Sequence, residues 1–218
     1  MTNPSPCKVK ICGITNLADA RYASGAGADF LGFIQHEESP RFVEPKLAKD
    51  IIVWLYGAKT VGVFVNKRSD EVNRISDMAG FDYVQLHGDE SPEYCEWIDR
   101  PIIKVLRVQP GWTADHIQEA AAPYLELAEY FLLDTHSPSE YGGTGDAFDW
   151  TILEYLDLGL PFFLAGGLNP ENVESAIQLA SPYAIDVSSG IESAPGQKDF
   201  DKIDAFMETA LEAGGSDL

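Results

Sequence analysis

Several residues that move protons or grip anions stand directly after short apolar runs. Cys12 closes Val9-Lys10-Ile11-Cys12, and Asp134 closes Phe131-Leu132-Leu133-Asp134. A thiol acts as a base only when ionised, and a nearby cation or a helix N-terminus lowers its pKa. By the two-residue period of a strand, Cys12 shares a face with Lys10. The Lys10 ammonium could therefore bring the thiol toward neutrality, or pair instead with Asp186 on a neighbouring strand. The competing reading of a lone cysteine is a small buried filler, and that reading stands for Cys7 and Cys95. At the end of an apolar strand Asp134 would be partly desolvated, which raises a carboxyl pKa and suits a general acid. Otherwise it is a capping or loop-bracing aspartate.

Two small-residue turns, Gly166-Gly167 and Ser188-Ser189-Gly190, could grip a phosphate. Glycine lets the backbone approach an oxyanion closely, and the N–H groups there become donors. The first turn precedes Asn169-Pro170, a helix start whose dipole favours an anion. Arg41, in Ser39-Pro40-Arg41, carries a planar fork that matches a carboxylate in bidentate fashion. Its alternative is an ordinary surface arginine. His87, in Gln85-Leu86-His87-Gly88, is either a substrate contact or a satisfied histidine at a strand end. The stretch His136–Phe148 carries Gly142, Gly143 and Gly145 after a strand, and it reads as a hinged lid or a plain surface loop.

Strand-like runs at Lys8–Cys12, Phe30–Ile34, Lys59–Val65, Tyr83–Leu86, Ile102–Val108, Tyr130–Asp134, Phe162–Ala165 and Ala184–Val187 must position these groups. Each precedes a helical pattern: Leu17–Ser24, Pro45–Tyr56, Ser69–Met78, Pro92–Ile98, Ala114–Ala122, Trp150–Leu156, Pro170–Leu179 and Phe200–Glu212. Alternating strands and helices imply parallel βαβ units. Eight of each predict an α/β fold, a single (β/α)8 TIM barrel spanning 1–218, with an open doubly wound sheet as runner-up. In such a barrel, function sits at the C-terminal strand ends, where all the groups above fall. The loops after strands 7 and 8 commonly cradle phosphate.

Of 218 residues, 45% are hydrophobic and 23% charged, ordinary for a globular chain. No run approaches the length of a membrane span, and Met1–Pro6 lacks the pattern of a secretory signal. Three cysteines suggest neither a disulfide framework nor a zinc site, and a cytoplasmic enzyme with free thiols is expected. The formal net charge of −20 argues against nucleic acid or an anionic membrane as partner. It also repels an anionic substrate, so an anion site must be made locally.

Together the chemical residues and their order resemble phosphoribosylanthranilate isomerase. The resemblance is carried by Val9-Lys10-Ile11-Cys12-Gly13-Ile14-Thr15, Gly32-Phe33, Ser39-Pro40-Arg41, Val61-Gly62-Val63-Phe64 and Val84-Gln85-Leu86-His87-Gly88. It continues with Leu132-Leu133-Asp134, Gly142-Gly143-Thr144-Gly145, Leu164-Ala165-Gly166-Gly167-Leu168, Asp186-Val187-Ser188-Ser189-Gly190-Ile191-Glu192, Pro195-Gly196 and Lys198-Asp199. The matches run in family order over nearly the whole chain.

The resemblance implies an Amadori rearrangement of N-(5-phosphoribosyl)anthranilate to the 1-deoxyribulose 5-phosphate, with Cys12 as general base, Asp134 as general acid and Arg41 on the anthranilate carboxylate. Gly166, Gly167, Ser188, Ser189 and Gly190 would hold the phosphate. Lys10, His87, Gly143 and Asp186 are further substrate-site candidates. No metal or other cofactor is required. The expected partner is a small anionic sugar phosphate, and the chain is expected to act as a monomer or homodimer. The alternatives are another phosphate-binding barrel enzyme, such as a pentose-phosphate epimerase or an indole-forming synthase, and a non-catalytic phosphate-ligand binding protein.

This chain departs from the family pattern at Gln35-His36-Glu37-Glu38 and at Asp146-Ala147, both of which add negative charge near the expected mouth. Salt screens such repulsion. The KM should therefore be higher at low ionic strength than at moderate salt; a KM that only rises with added salt contradicts this.

Overall fold

Eight parallel strands close on themselves in the computed structural model, which describes residues 7–135, 149–154 and 156–214. They are β1 (Lys8–Cys12), β2 (Phe30–Ile34), β3 (Lys59–Phe64), β4 (Tyr83–Leu86), β5 (Ile102–Val108), β6 (Tyr130–Thr135), β7 (Phe162–Leu164) and β8 (Ala184–Val187). Hydrogen bonding runs from each strand to the next and from β8 back to β1, where Lys10 lies opposite Asp186. Closure decides against the open doubly wound sheet.

The outer layer holds α1 (Leu17–Gly25), α2 (Pro45–Ile52), α3 (Ser69–Ala79), α4 (Pro92–Cys95), α5 (Ala114–Ala121), α6 (Val173–Ala180) and α7 (Phe200–Ala213). Among the described residues the expected sixth helix, Trp150–Leu156, is only a 3-10 turn over Trp150–Leu153, started by Asp149 accepting from Thr151 N. The helix expected to reach Tyr56 stops at Ile52, where Trp54 N and Leu55 N bond back three residues and tighten the end. The helix expected from Pro92 to Ile98 ends at Cys95 in the same way, through Trp97 N and Ile98 N.

The helix expected from Pro170 begins at Val173. Asn169 Oδ1 accepts from Glu171 N and Asn172 N, and Asn172 Oδ1 accepts from Asn169 N. These side chains hold residues 169–172 in a turn and delay the helix.

The two-residue period of the strands divides the core. Val9, Ile11, Phe33, Phe64, Phe131, Leu133 and Ile185 face outward and pack under the helices. Phe30, Val61, Ile103, Val105, Leu132, Phe163 and Ala184 face inward and fill the barrel. Tyr83, Tyr130 and Tyr183 close its N-terminal end, with the rings of Tyr130 and Tyr183 stacked 5.0 Å apart. The interior is thus a solid floor, and among the described residues the barrel opens into a cavity at the C-terminal strand ends.

A short hairpin absent from the sequence-based element list follows the last barrel strand: β9 (Glu192–Ala194) and β10 (Gln197–Lys198) pair antiparallel around Pro195-Gly196. Gly196 has φ +77°, a left-handed conformation that glycine takes at little cost.

Gly62 marks a close approach in the outer layer. A Cβ there would lie 2.4 Å from Cδ2 of Phe81. The fully buried Phe81 has little room to move. Gly62→Ala should therefore destabilise the fold by about 1–3 kcal/mol. Thermal or urea unfolding measures this, and a melting temperature equal to the parent's contradicts it.

Candidate active site

The C-terminal strand ends surround a cavity of about 340 Å³. Cys12, Arg41, His87, Asp134, Asp186, Gly166, Gly167, Ser188 and Ser189 all line it. Of the remaining expected residues, Lys10 lies beneath the floor, fully buried, and Gly190 sits behind the wall. Gly143, with the proposed lid across 136–148, lies outside the described residues.

β1 sets the floor. Lys10 Nζ donates to Asp186 Oδ1 at 2.9 Å, and both side chains are almost wholly enclosed. Of the two readings of Lys10, the ion pair with Asp186 is the one formed, and the ammonium also reaches Cys12 two residues along the same face. Burial alone would lower the Lys10 pKa. Asp186 and Cys12 outweigh it, so Lys10 stays charged. The Cys12 thiol goes the other way from the sequence-based expectation. Burial pushes it above the ordinary thiol value, and the pull of Lys10 and Lys198 only offsets part of that, against Asp186. Gly32 lies opposite Cys12 in the register, and a Cβ there would meet the sulfur at 2.7 Å. Its bare backbone is what admits the thiol.

Asp134, one residue before the end of β6, lines the cavity too. His87 Nε2 lies 3.3 Å from its Oδ2, an electrostatic contact rather than an aligned hydrogen bond. Gln85 Nε2 donates to His87 Nδ1 at 3.1 Å, which leaves the imidazole proton on Nε2, facing Asp134. The loop after β4 is braced from below: Glu90 accepts from Gly88 N and from Asn66 N, and Lys104 Nζ donates to Glu90 at 2.9 Å. His87 therefore lines the cavity with its Nδ1 hydrogen-bonded and its Nε2 turned toward Asp134 without an aligned hydrogen bond.

The two small-residue turns meet. Gly166 and Gly167 have φ +89° and +68°, and Asn172 Nδ2 donates to Gly167 O at 2.9 Å. A Cβ at Gly190 would lie 1.9 Å from Leu168 O, so the turn after β8 interlocks with the turn after β7 only because position 190 is glycine. The result is a concave pair of backbone turns beside the serines, suited to an oxyanion.

Arg41 is buried rather than superficial, and the carboxylate its fork grips belongs to the protein. Its Nε donates to Glu192 Oε1 at 3.0 Å and its Nη2 to Oε2 at 2.8 Å. Lys198 Nζ meets the same carboxylate at 2.9 Å and also donates to Ser188 O at 3.0 Å. The sequence alone assigns no role to Glu192 or Lys198. Both stand in segments that carry the family resemblance, and the Pro195-Gly196 turn between them brings the two charged residues together across a hairpin.

The family model described as "N-(5'phosphoribosyl)anthranilate (PRA) isomerase" matches residues 9–209. An N-(5'-phosphoribosyl)anthranilate isomerase of Geobacter metallireducens is 47% identical over 204 residues, covering 93% of this chain and 98% of the relative. The crystal structure of phosphoribosyl anthranilate isomerase from Thermotoga maritima superposes with a TM-score of 0.85 at 40% identity, covering 94% of this chain and 98% of that one. A phosphoribosyl anthranilate isomerase in complex with reduced 1-(o-carboxyphenylamino)-1-deoxyribulose 5-phosphate gives a TM-score of 0.82, also at 40% identity and with the same coverage.

The raised thiol pKa predicts how Cys12 reacts in the free enzyme. Its alkylation by iodoacetamide, read by peptide mass spectrometry, should keep accelerating above the ordinary thiol range. Cys95 and Cys7, pushed up by burial to about 11 and about 12, serve as internal references. A Cys12 midpoint below that range would contradict the dominance of burial.

Proposed function

This chain belongs to the N-(5'-phosphoribosyl)anthranilate isomerase family, an isomerase of tryptophan biosynthesis, and we propose that it works through Cys12 as general base and Asp134 as general acid. The observation that carries this assignment is that both groups line one cavity, with the paired phosphate-type turns and Arg41 on its walls. The enzyme converts N-(5-phosphoribosyl)anthranilate to 1-(2-carboxyphenylamino)-1-deoxyribulose 5-phosphate.

The steps balance with no redox change. Asp134 gives its proton to the ribose ring oxygen, the bond from C1 to that oxygen breaks, and the nitrogen lone pair forms a protonated Schiff base. That cation acidifies the C2 proton. Cys12 takes it as thiolate, and the C–H electron pair forms the C1=C2 bond of an enolamine while neutralising the nitrogen. Protonation at C1 and loss of the hydroxyl proton give the ketone. Cys12 then releases its proton and Asp134 regains one.

A buried thiol with a raised pKa needs help to ionise, and the reaction supplies it. The Schiff-base cation forms next to the sulfur, and an opposite charge at that distance favours the thiolate. Lys10, fixed by Asp186, adds a second positive charge from below. The turns at Gly166-Gly167 and Ser188-Ser189, with Gly190 behind, hold the phosphate, and Arg41 faces the anthranilate carboxylate. His87 and Asp186 contact the ribosyl portion. Anchoring both ends of the substrate converts binding energy into alignment of the reacting centre.

We place the reaction in the cytoplasm, consistent with three free thiols, and in a single catalytic barrel that acts as a monomer or homodimer. No helix among the described residues is long and apolar enough to cross a membrane. Cys12→Ala and Asp134→Asn should each lower kcat by about 10²–10⁴-fold with the fold intact. Loss of substrate fluorescence measures turnover and circular dichroism the fold. Near-parent turnover in either variant refutes that residue's role.

A further inference from the structure

Arg41 is held in place before any substrate arrives, and what holds it lies outside the cavity. Glu192 does not line the cavity, yet its carboxylate takes both Nε and Nη2 of Arg41 at 2.8–3.1 Å. The pair is buried on both sides, with side-chain exposures of 11% and 4%. Lys198, whose side chain is fully enclosed, braces Glu192 from the other strand of the β9–β10 hairpin. The carboxylate is held ionised against its burial by these two cations.

The hairpin is itself pinned. Thr15 Oγ1 donates to Gly196 O at 2.6 Å, Lys198 N donates to Asp19 Oδ2 at 3.0 Å, and Lys202 Nζ donates to Glu192 O at 2.8 Å. Its tip lies against the Pro40-Arg41 backbone, where a Cβ at Gly196 would be 3.2 Å from Pro40 O. On the far side of the guanidinium stem, a Cβ at Gly13 would lie 2.8 Å from Arg41 Cδ. Arg41 thus runs in a channel between Gly13 and the hairpin. Lys198 also donates to Ser188 O, so the same ammonium ties this clamp to the turn after β8.

We propose that Glu192, braced by Lys198, is a specificity-determining positioning residue: it aims Arg41 at the aromatic carboxylate and fixes that reader's distance from the phosphate turn. This rests on the reading of Arg41 given above. An arginine locked by a bidentate partner loses no side-chain freedom when substrate binds, so its selectivity comes from placement. Removing the lock should cost recognition of the carboxylate more than it costs the chemistry at C1 and C2.

The test compares two substrates, phosphoribosylanthranilate and its aniline analogue, which lacks the ring carboxylate. The readout is the ratio of their kcat/KM values, followed by chromatography of the products. In Glu192→Gln that ratio should fall by about tenfold or more, mainly through KM for the carboxylate substrate. Glu192→Asp keeps the cluster's charge but draws the carboxylate back, and the ratio should fall about threefold; it serves if Glu192→Gln does not fold. A merely structural role would lower both substrates alike and leave the ratio at the parent value, which overturns the proposal. Arg41→Gln separates the two layers. If it collapses the ratio while both Glu192 variants do not, the positioning role is wrong and the reading of Arg41 stands. If Arg41→Gln leaves the ratio untouched, Arg41 does not read the carboxylate and the inference falls with it.

Discussion

The ion pair between Lys10 and Asp186 is the interaction on which the site depends. It joins the first and last barrel strands at the point of closure, where the register sets the two residues opposite each other. Both charges are taken out of water, so neither is tolerable alone; removing one partner of such a pair typically costs about 3–5 kcal/mol. Together they place a fixed ammonium under the Cys12 sulfur and a carboxylate at the cavity floor. Barrel closure and the electrostatics of the proposed base are therefore one constraint. A slip of one residue between β8 and β1 would turn Asp186 outward and leave Lys10 buried without its counter-charge.

The same logic explains how a chain of net charge −20 binds an anion. Its global field is repulsive, but the cavity is surrounded by cations held at defined points: Lys10 below, Arg41 on the wall and Lys198 behind it. Each is fixed by an acidic partner, Asp186 at the cavity floor for the first and Glu192, outside the cavity, for the other two. Those partners keep the cations in place, and the backbone turns after β7 and β8 add donors that carry no net charge. Preorganised groups of this kind need no rearrangement as charge develops, which is where most electrostatic catalysis comes from.

Much of this architecture is written locally in the sequence. Five of the eight strands, including Lys8–Cys12 and Ala184–Val187, have the bounds that alternation and β-branched content suggest, because each barrel strand is a short apolar run between turns. The strand ends then bring Cys12, His87, Asp134 and the two small-residue turns to one mouth by topology alone. Helix ends are less legible. The delayed start at Val173 depends on Asn169 and Asn172 side chains bonding the backbone, which competes with the helical pattern. The ionisation of Cys12 is not legible either, since burial and three charged neighbours, Lys10, Asp186 and Lys198, contribute with opposite signs. Least legible is the clamp on Arg41: Glu192 is 151 residues away, and only barrel closure and the β9–β10 hairpin bring them together.

The central claim is that a thiol and a carboxyl group act on one substrate from different walls of one cavity. A crystal structure of this enzyme with its reduced product tests it most directly. The account predicts the Cys12 sulfur at about 3–3.5 Å from sugar C2 and an Asp134 oxygen at about 2.6–3.2 Å from the former ring oxygen, both within reach of proton transfer. A complex with the phosphate seated in the two turns but with either group turned away from these atoms would contradict it.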